Sequence, residues 1–332
     1  MTRTRLHVFD LHCDTLDRLA LHNVMPQAGF MAEDAHIPAA RMASLLDNDA
    51  HISLNRMAQA NWCQCFAAFI PDGLGTEGAW QVFQLVNAYL QAQLKQHAGR
   101  IELVRDAREI EDIIKNGTCA AIFTVEGGSF LEGSVNRLYD IAEAGVKMMT
   151  LTWNGQNAIA SGNDTMDGLS FFGQEVIEAM DQLRMVVDVS HLNDNSFWDV
   201  MKHAKRPVAA SHSNARAVCG HPRNLTDGQF RAIAERGGLG GLNFYSRFLK
   251  DFGEATPDDF CWHIDHLLEL GGEKVLALGS DYDGCDVPRW LAPCDKVGSL
   301  YEVIARQFGT ELAEAIFFDN ALRFFKQNET TR

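Results

Sequence analysis

Five short segments of this chain put a histidine or a carboxylate directly after a run of β-forming residues. They are His12 and Asp14 in DLHCD, Glu126 in FTVEGG, His191 in VVDVSH, His212 in PVAASH and Asp281 in LALGSDYDG. Imidazole nitrogens and carboxylate oxygens together make the donor set of a divalent-metal hydrolase, in which a cation activates water and a nearby carboxylate moves its proton. Each segment is weak evidence alone: an isolated His-x-Asp is common, and a single histidine at a strand end is usually a hydrogen-bonded rim residue. Their repetition, each followed by a stretch able to form a helix, describes strands whose C-terminal ends converge on one metal site.

Spacing and context assign first roles. His12 and Asp14 lie two apart, which in extended chain puts both side chains on one face. Glu126 ends an apolar run, where an unpaired carboxylate is costly. Its two oxygens could bridge two cations, and the following Gly127 and Gly128 permit a tight turn or a close approach. His191 and His212 share the pattern apolar run, Ser, His, and with Glu126 opposite they form a His/His/Glu set suited to Zn²⁺. Asp281 and Asp283 flank Tyr282. A binuclear site needs a water held between the ions and a carboxylate to accept its proton. Asp281, nearer the strand end, is expected to be that group, with Asp283 holding the loop. The remaining histidines (7, 22, 36, 51, 97, 203, 221, 263 and 266) read as surface or structural. GGLGG at 237–241 enters a strand rather than opening a helix, as a phosphate loop would, and Ser211-His212-Ser213 lacks a G-x-S-x-G elbow. The Phe317-Phe318 and Phe324-Phe325 pairs read as core.

Something must hold these segment ends together. Short apolar or β-branched runs predict strands at 5–10, 63–70, 119–125, 147–152, 185–190, 207–211, 239–244 and 275–280, as expected of strands buried on both faces. Apolar stripes at helical spacing predict helices over 79–94, 173–184, 226–236 and 310–326. Strands alternating with helices indicate a (β/α)8 TIM barrel, a single domain over 1–332, with a doubly wound open sheet as the alternative. Ligands on strands one, three, five, six and eight favour closure, because only a ring brings those ends together. Long connections at 15–60, 245–262 and 282–298 are expected at the C-terminal mouth, where loops shape the substrate pocket.

With 332 residues, 46% of them hydrophobic, the chain can bury a large core. A net charge of −15 argues against nucleic acid and anionic membrane surfaces as partners. The cysteines (13, 63, 65, 119, 219, 261, 285 and 294) form no CxxC pair and are expected to be reduced. The opening MTRTRLHVFD carries no apolar leader, no window approaches a membrane span, and the closing FKQNETTR is polar. The expectation is a cytoplasmic protein acting on a small molecule.

In order along the chain, DLHCD, TVEGG, DVSHLND, ASHSNAR, HPRNLTD and GSDYDG resemble the membrane dipeptidase (renal dipeptidase) family of zinc peptidases, family M19 of the amidohydrolase superfamily, and in particular its bacterial members. The likeness runs across nearly the whole chain and ends in FFDNALRFF. It implies a (β/α)8 barrel with two Zn²⁺ per subunit, one held by His12, Asp14 and Glu126, the other by Glu126, His191 and His212, with Glu126 bridging. It implies Asp281 as catalytic acid/base and Arg223, in HPRNLTD, as the group that binds the substrate's terminal carboxylate, which a guanidinium grips bidentately. Tyr245, in NFY, matches a pocket position, and homodimers are usual in the family. The implied activity is hydrolysis of dipeptides, L-Xaa-L-Xaa or L-Xaa-D-Xaa, by a hydroxide held between the metals.

The chain departs from the family at LTWN, where Trp153 stands in place of the mammalian histidine near the scissile carbonyl. Tryptophan offers an N–H but no positive charge, and Asn154 is a further candidate donor. This difference keeps a second reading open: a related binuclear amidohydrolase acting on N-acyl amino acids, lactams or lactones. Leu11 and Cys13 replace the usual Gly and Asn, and Cys13 is expected to alternate away from the metals.

Overall fold

The computed structural model describes residues 5–21 and 44–330. His22, His36 and much of the 15–60 connection lie outside the described residues. The strands are β1 (His7–Asp10), β2 (Asn61–Phe69), β3 (Ile101–Leu103), β4 (Cys119–Glu126), β5 (Val146–Thr150), β6 (Val186–Asp188), β7 (Ala209–Ala210), β8 (Leu239–Leu242) and β9 (Leu276–Leu278). Parallel pairing runs β2-β1-β9-β8-β7-β6-β5-β4, and β2 pairs again with β4, from Cys63 opposite Ala120 to Phe69 opposite Glu126. That second pairing closes an eight-stranded parallel barrel with helices around it, a (β/α)8 fold.

Each expected strand is present. The short β3 was not readable: three residues, Ile101 opposite Cys119, add to the start of β4 outside the ring. Several strands end earlier than their apolar runs. The run 185–190 is strand only over Val186–Asp188, and 275–280 only over Leu276–Leu278. There the chain leaves the ladder to present site residues: His191, Asp281 and Asp283 take positive φ of 70°, 60° and 70°, a left-handed conformation incompatible with a strand.

One apolar cluster draws on all eight ring strands, including Phe9, Cys65, Ile122, Met148, Val186, Ala209, Leu239 and Ala277, and fills the ring. It continues into Phe318, Phe324 and Phe325, and the Phe325 ring stacks on Phe9 with centroids 5.4 Å apart. The C-terminal segment expected as one helix is three pieces: helix Thr310–Glu314, a π-helical turn Ala315–Asp319, and helix Asn320–Thr330. The helices Gly75–Gln96, Phe171–Leu183 and Asp227–Glu235 bury the predicted stripes. All the cysteines are free thiols, buried except for the half-buried Cys285. Among the described residues no helix is long and apolar enough to cross a membrane.

His263, on helix Pro257–Glu269, ties down the segment that follows β7. Its Nδ1 accepts the Ala215 N–H at 3.0 Å and its Nε2 donates to the Leu249 carbonyl at 3.0 Å. Burial pushes its pKa down to about 4. The folded form therefore keeps the ring neutral while the unfolded chain binds a proton below about 6.5. The stabilisation is complete above that pH and declines as pH falls towards 4, by up to about 3 kcal/mol. In metal-free protein, the unfolding free-energy gap between wild type and His263→Gln is expected to shrink from pH 7.5 to pH 5. A pH-independent gap would contradict this.

Candidate metal centre

Each site residue sits at or just past a strand's C-terminal end. Glu126 is the last residue of β4. His12 lies two residues beyond β1, where the ladder continues as a bridge between Cys13 and Tyr282. Asp14 is the N-cap residue of helix Thr15–Ala20. His212 follows β7 by two residues, and His191 and Asp281 follow β6 and β9 by three. Ring closure brings them into one buried cluster. His191 Nε2 is 2.7 Å and His212 Nε2 3.6 Å from Glu126 Oε1, while His12 Nε2 lies 3.4 Å from the other oxygen, Oε2. His12 Nε2 is also 3.5 Å from Asp14 Oδ2 and 4.0 Å from Asp281 Oδ1.

Partners outside the cluster fix the imidazoles. Asp188 accepts the Ser211 hydroxyl at 2.5 Å and the Ser211 N–H at 2.9 Å. With its proton given to Asp188, Ser211 Oγ accepts from His212 Nδ1 at 2.7 Å. His191 Nδ1 donates to Asn154 Oδ1 at 2.9 Å. Both protons therefore sit on Nδ1, which turns two Nε2 lone pairs towards each other across 2.9 Å and towards Glu126. Such lone-pair and carboxylate crowding is repulsive unless a cation lies among them. His12 Nε2 and Asp14 Oδ1 are buried without a hydrogen-bond partner among the described residues. The N/O donor set, the tautomers and these orphaned atoms all fit divalent metal. Among the described residues two groups, His12 with Glu126 and His212, and His12 with Asp14 and Asp281, have ligand atoms near enough to share an ion.

The electrostatics agree. Burial, opposed by His12 and reinforced by Asp14, raises the Glu126 pKa to about 7; burial raises Asp281 to about 6. Burial drives His191 and His212 well below the ordinary imidazole value. Against burial, the Glu126 and Asp14 charges raise His12 well above the ordinary imidazole value, so the carboxylates draw positive charge into the cluster.

The cluster floors a cavity of about 950 Å³ lined by Asp281, Arg223, Trp153 and Tyr245, among others. Asp281 Oδ2 accepts the Asn243 amide at 3.0 Å. Arg223 is 6% exposed, and its Nε and Nη2 have no hydrogen-bond partner among the described residues. Its guanidinium lies 5.4 Å over the Phe248 ring, and Phe248 is packed edge-on by Tyr245 at 5.0 Å. Trp153 meets Phe69 edge-on at 5.2 Å. Asp283 accepts from Thr15 Oγ1 at 2.5 Å and from the His51 N–H at 2.7 Å, which holds the loop. Asn154, a candidate donor, turns its side-chain carbonyl oxygen to His191 Nδ1. Sequence reasoning missed Asp188, Asn243, the orienting roles of Ser211 and Asn154, and Gly284. A Cβ at Gly284 would overlap the carboxylates of Asp14 and Asp281.

A (β/α)8 barrel with histidines and carboxylates gathered at its C-terminal mouth is the design of a metal-dependent hydrolase. The chain belongs to the membrane dipeptidase family, peptidase family M19, whose family model matches residues 2–332, and it is a metallo-dipeptidase of that type. It is 35% identical over 252 residues to an uncharacterized protein in the pqqA 5′ region of Klebsiella pneumoniae, covering 72% of this chain and 93% of that one. Its fold is similar to a metallo peptidase from Rhodobacter sphaeroides liganded with a phosphinate mimic of the dipeptide L-Ala-D-Ala, with TM-score 0.86, 24% identity and coverage of 98% and 99% of the two chains. A dipeptidase of family M19 gives TM-score 0.86 at 25% identity, over 98% of this chain and 99% of that one.

Gly284→Ala is expected to displace Asp14 and Asp281 and to weaken divalent-metal binding by at least about tenfold with the fold retained, since losses of this size follow misplaced ligands and their supports. Metal titration followed by circular dichroism reads both. Unchanged metal affinity would contradict the packing described for Gly284.

Proposed function

We propose that this chain is a single-domain binuclear zinc dipeptidase in which His12, Asp14 and Glu126 hold one Zn²⁺, and Glu126, His191 and His212 hold the second. Its substrates are L-Xaa-L-Xaa or L-Xaa-D-Xaa dipeptides. The observation that carries this reading is that Asp14, Glu126 and His191 line one cavity with Asp281 and Arg223, while His12 and His212 face Glu126 from the same cluster. Bound there, the two ions supply a strong nucleophile from water at neutral pH and polarise the amide carbonyl.

The chain's own residues do the rest. Asp281, steadied through Oδ2 by Asn243, takes the proton of the attacking water and returns it to the leaving amine. Arg223 binds the free carboxylate in a desolvated pocket, which limits substrates to short peptides. Tyr245 packs on the same Phe248 ring and borders the carboxylate end. Trp153 and Phe69 make an aromatic wall in the cavity. That wall favours the second reading, cleavage of N-acyl amino acids, lactams or lactones, whose apolar groups would lie against it.

Hydrolysis of a panel of L,L- and L,D-dipeptides and N-acyl amino acids, by zinc-loaded and metal-stripped protein, tests the proposal. Zinc-dependent cleavage of dipeptides is expected, whereas cleavage confined to the acyl compounds would replace it with the second reading. Asp281→Asn is expected to keep its zinc and lose roughly 10²–10⁴-fold in kcat. Normal turnover would remove Asp281 as the proton carrier. Arg223→Ala is expected to raise KM about tenfold or more for free-carboxylate dipeptides. An equal loss on dipeptide amides would contradict carboxylate binding.

A further inference from the structure

Arg223 lies on the connection after β7, and Asp281 lies past β9. Three buried asparagines tie these segments together: Asn214 after β7, Asn224 beside Arg223, and Asn243 directly after β8. Asn243 Nδ2 donates to Asp281 Oδ2 at 3.0 Å, and its Oδ1 accepts the Tyr245 N–H at 2.6 Å, so its amide has one orientation. Asn214 grips the Asn243 backbone twice: Oδ1 accepts the N–H at 2.9 Å, and Nδ2 donates to the carbonyl at 3.0 Å. Asn224 Oδ1 accepts the Asn214 N–H at 3.2 Å. Its Nδ2 donates to the carbonyls of Phe248 at 2.8 Å and Cys219 at 2.9 Å. Phe248 in turn carries the ring that lies under the Arg223 guanidinium. A buried polar network whose groups are all satisfied is rigid. This one runs unbroken from the seat of Arg223 to the side chain of Asp281.

We propose that Asn214 and Asn224 are positioning residues that hold the carboxylate anchor and the proton carrier at one separation, so that the enzyme measures the C-terminal residue of its substrate and admits an α-amino acid there but not the β-homologue. This rests on the dipeptidase reading and narrows it. Arg223 fixes where the carboxylate sits, and Asp281 must deliver its proton to the leaving nitrogen. A rigid link between them suits a single chain length between that nitrogen and the carboxylate. A substrate one carbon longer satisfies one group and misses the other.

L-Ala-Gly and L-Ala-β-alanine differ by one methylene between the scissile nitrogen and the carboxylate, and neither C-terminal residue has handedness. Zinc-loaded wild type is expected to favour L-Ala-Gly in kcat/KM by about a hundredfold or more, the cost of a misplacement of about 1 Å. Asn214→Ala removes both bonds to the Asn243 backbone and is expected to lower that ratio by about tenfold or more at unchanged zinc content. Asn224→Asp keeps an oxygen for the Asn214 N–H, releases the Phe248 and Cys219 carbonyls, and is expected to move the ratio the same way. It carries the test if Asn214→Ala does not fold. A mere loss of folded protein scales both substrates equally and leaves the ratio untouched. A wild type that cleaves both compounds equally, or an unchanged ratio in a folded, zinc-loaded variant, would overturn the bracket while the dipeptidase reading stands. Cleavage of neither compound, nor of any other dipeptide, would overturn both.

Discussion

The site depends on one buried carboxylate. Glu126 is 3% exposed, with Oε1 facing His191 and His212 and Oε2 facing His12. Stripping water from such a charge costs several kcal/mol unless opposite charge replaces it. Burial keeps His191 and His212 neutral, and His12, which Glu126 and Asp14 raise well above the ordinary imidazole value against burial, is shared among several carboxylates. Divalent metal resolves the conflict, and the barrel makes the arrangement possible. Closure of the ring by the β2–β4 register sets Glu126 opposite Phe69 at the final rung of both strands, from which it reaches ligands on both sides of the mouth. Fold and chemistry are coupled through this rung.

A second layer repeats one device. Asp188 accepts both the N–H and the hydroxyl of Ser211, the residue before His212. Asp10 does the same for Ser280, the residue before Asp281, at 2.8 and 2.6 Å. Each buried aspartate clamps a serine, and each serine fixes the start of a turn that aims a functional side chain. Asp10 also accepts from Gln64 at 2.9 Å and Asp188 from Thr150 at 2.6 Å, which links the clamps to neighbouring strands. Rigid support of this kind holds ligand geometry to the tolerance that metal chemistry requires. Among the described residues, some of the buried polar atoms without partners, on His12, Asp14 and Arg223, belong to the metal cluster or its cavity.

Much of this was legible in the chain. Ligand types at strand ends survive as a one-dimensional signal because each strand of a parallel barrel is a short apolar run with its functional residue just beyond it. The runs at 119–125 and 63–70 became long strands for that reason. The shortening of 185–190 and 275–280 was not legible, because neither Val189-Ser190 nor Gly279-Ser280 announces the left-handed turn that follows at His191 or Asp281. Asp10, Asp188 and Asn243 escaped notice because a buried polar residue inside an apolar run declares no partner.

The central claim is a pair of ions sharing Glu126, and anomalous diffraction from zinc-soaked crystals tests it most directly. The account predicts two peaks about 3.5–4 Å apart, as in other two-metal sites, one contacting His12, Asp14 and Glu126, the other Glu126, His191 and His212. A single peak, or two peaks of which only one touches Glu126, would contradict it.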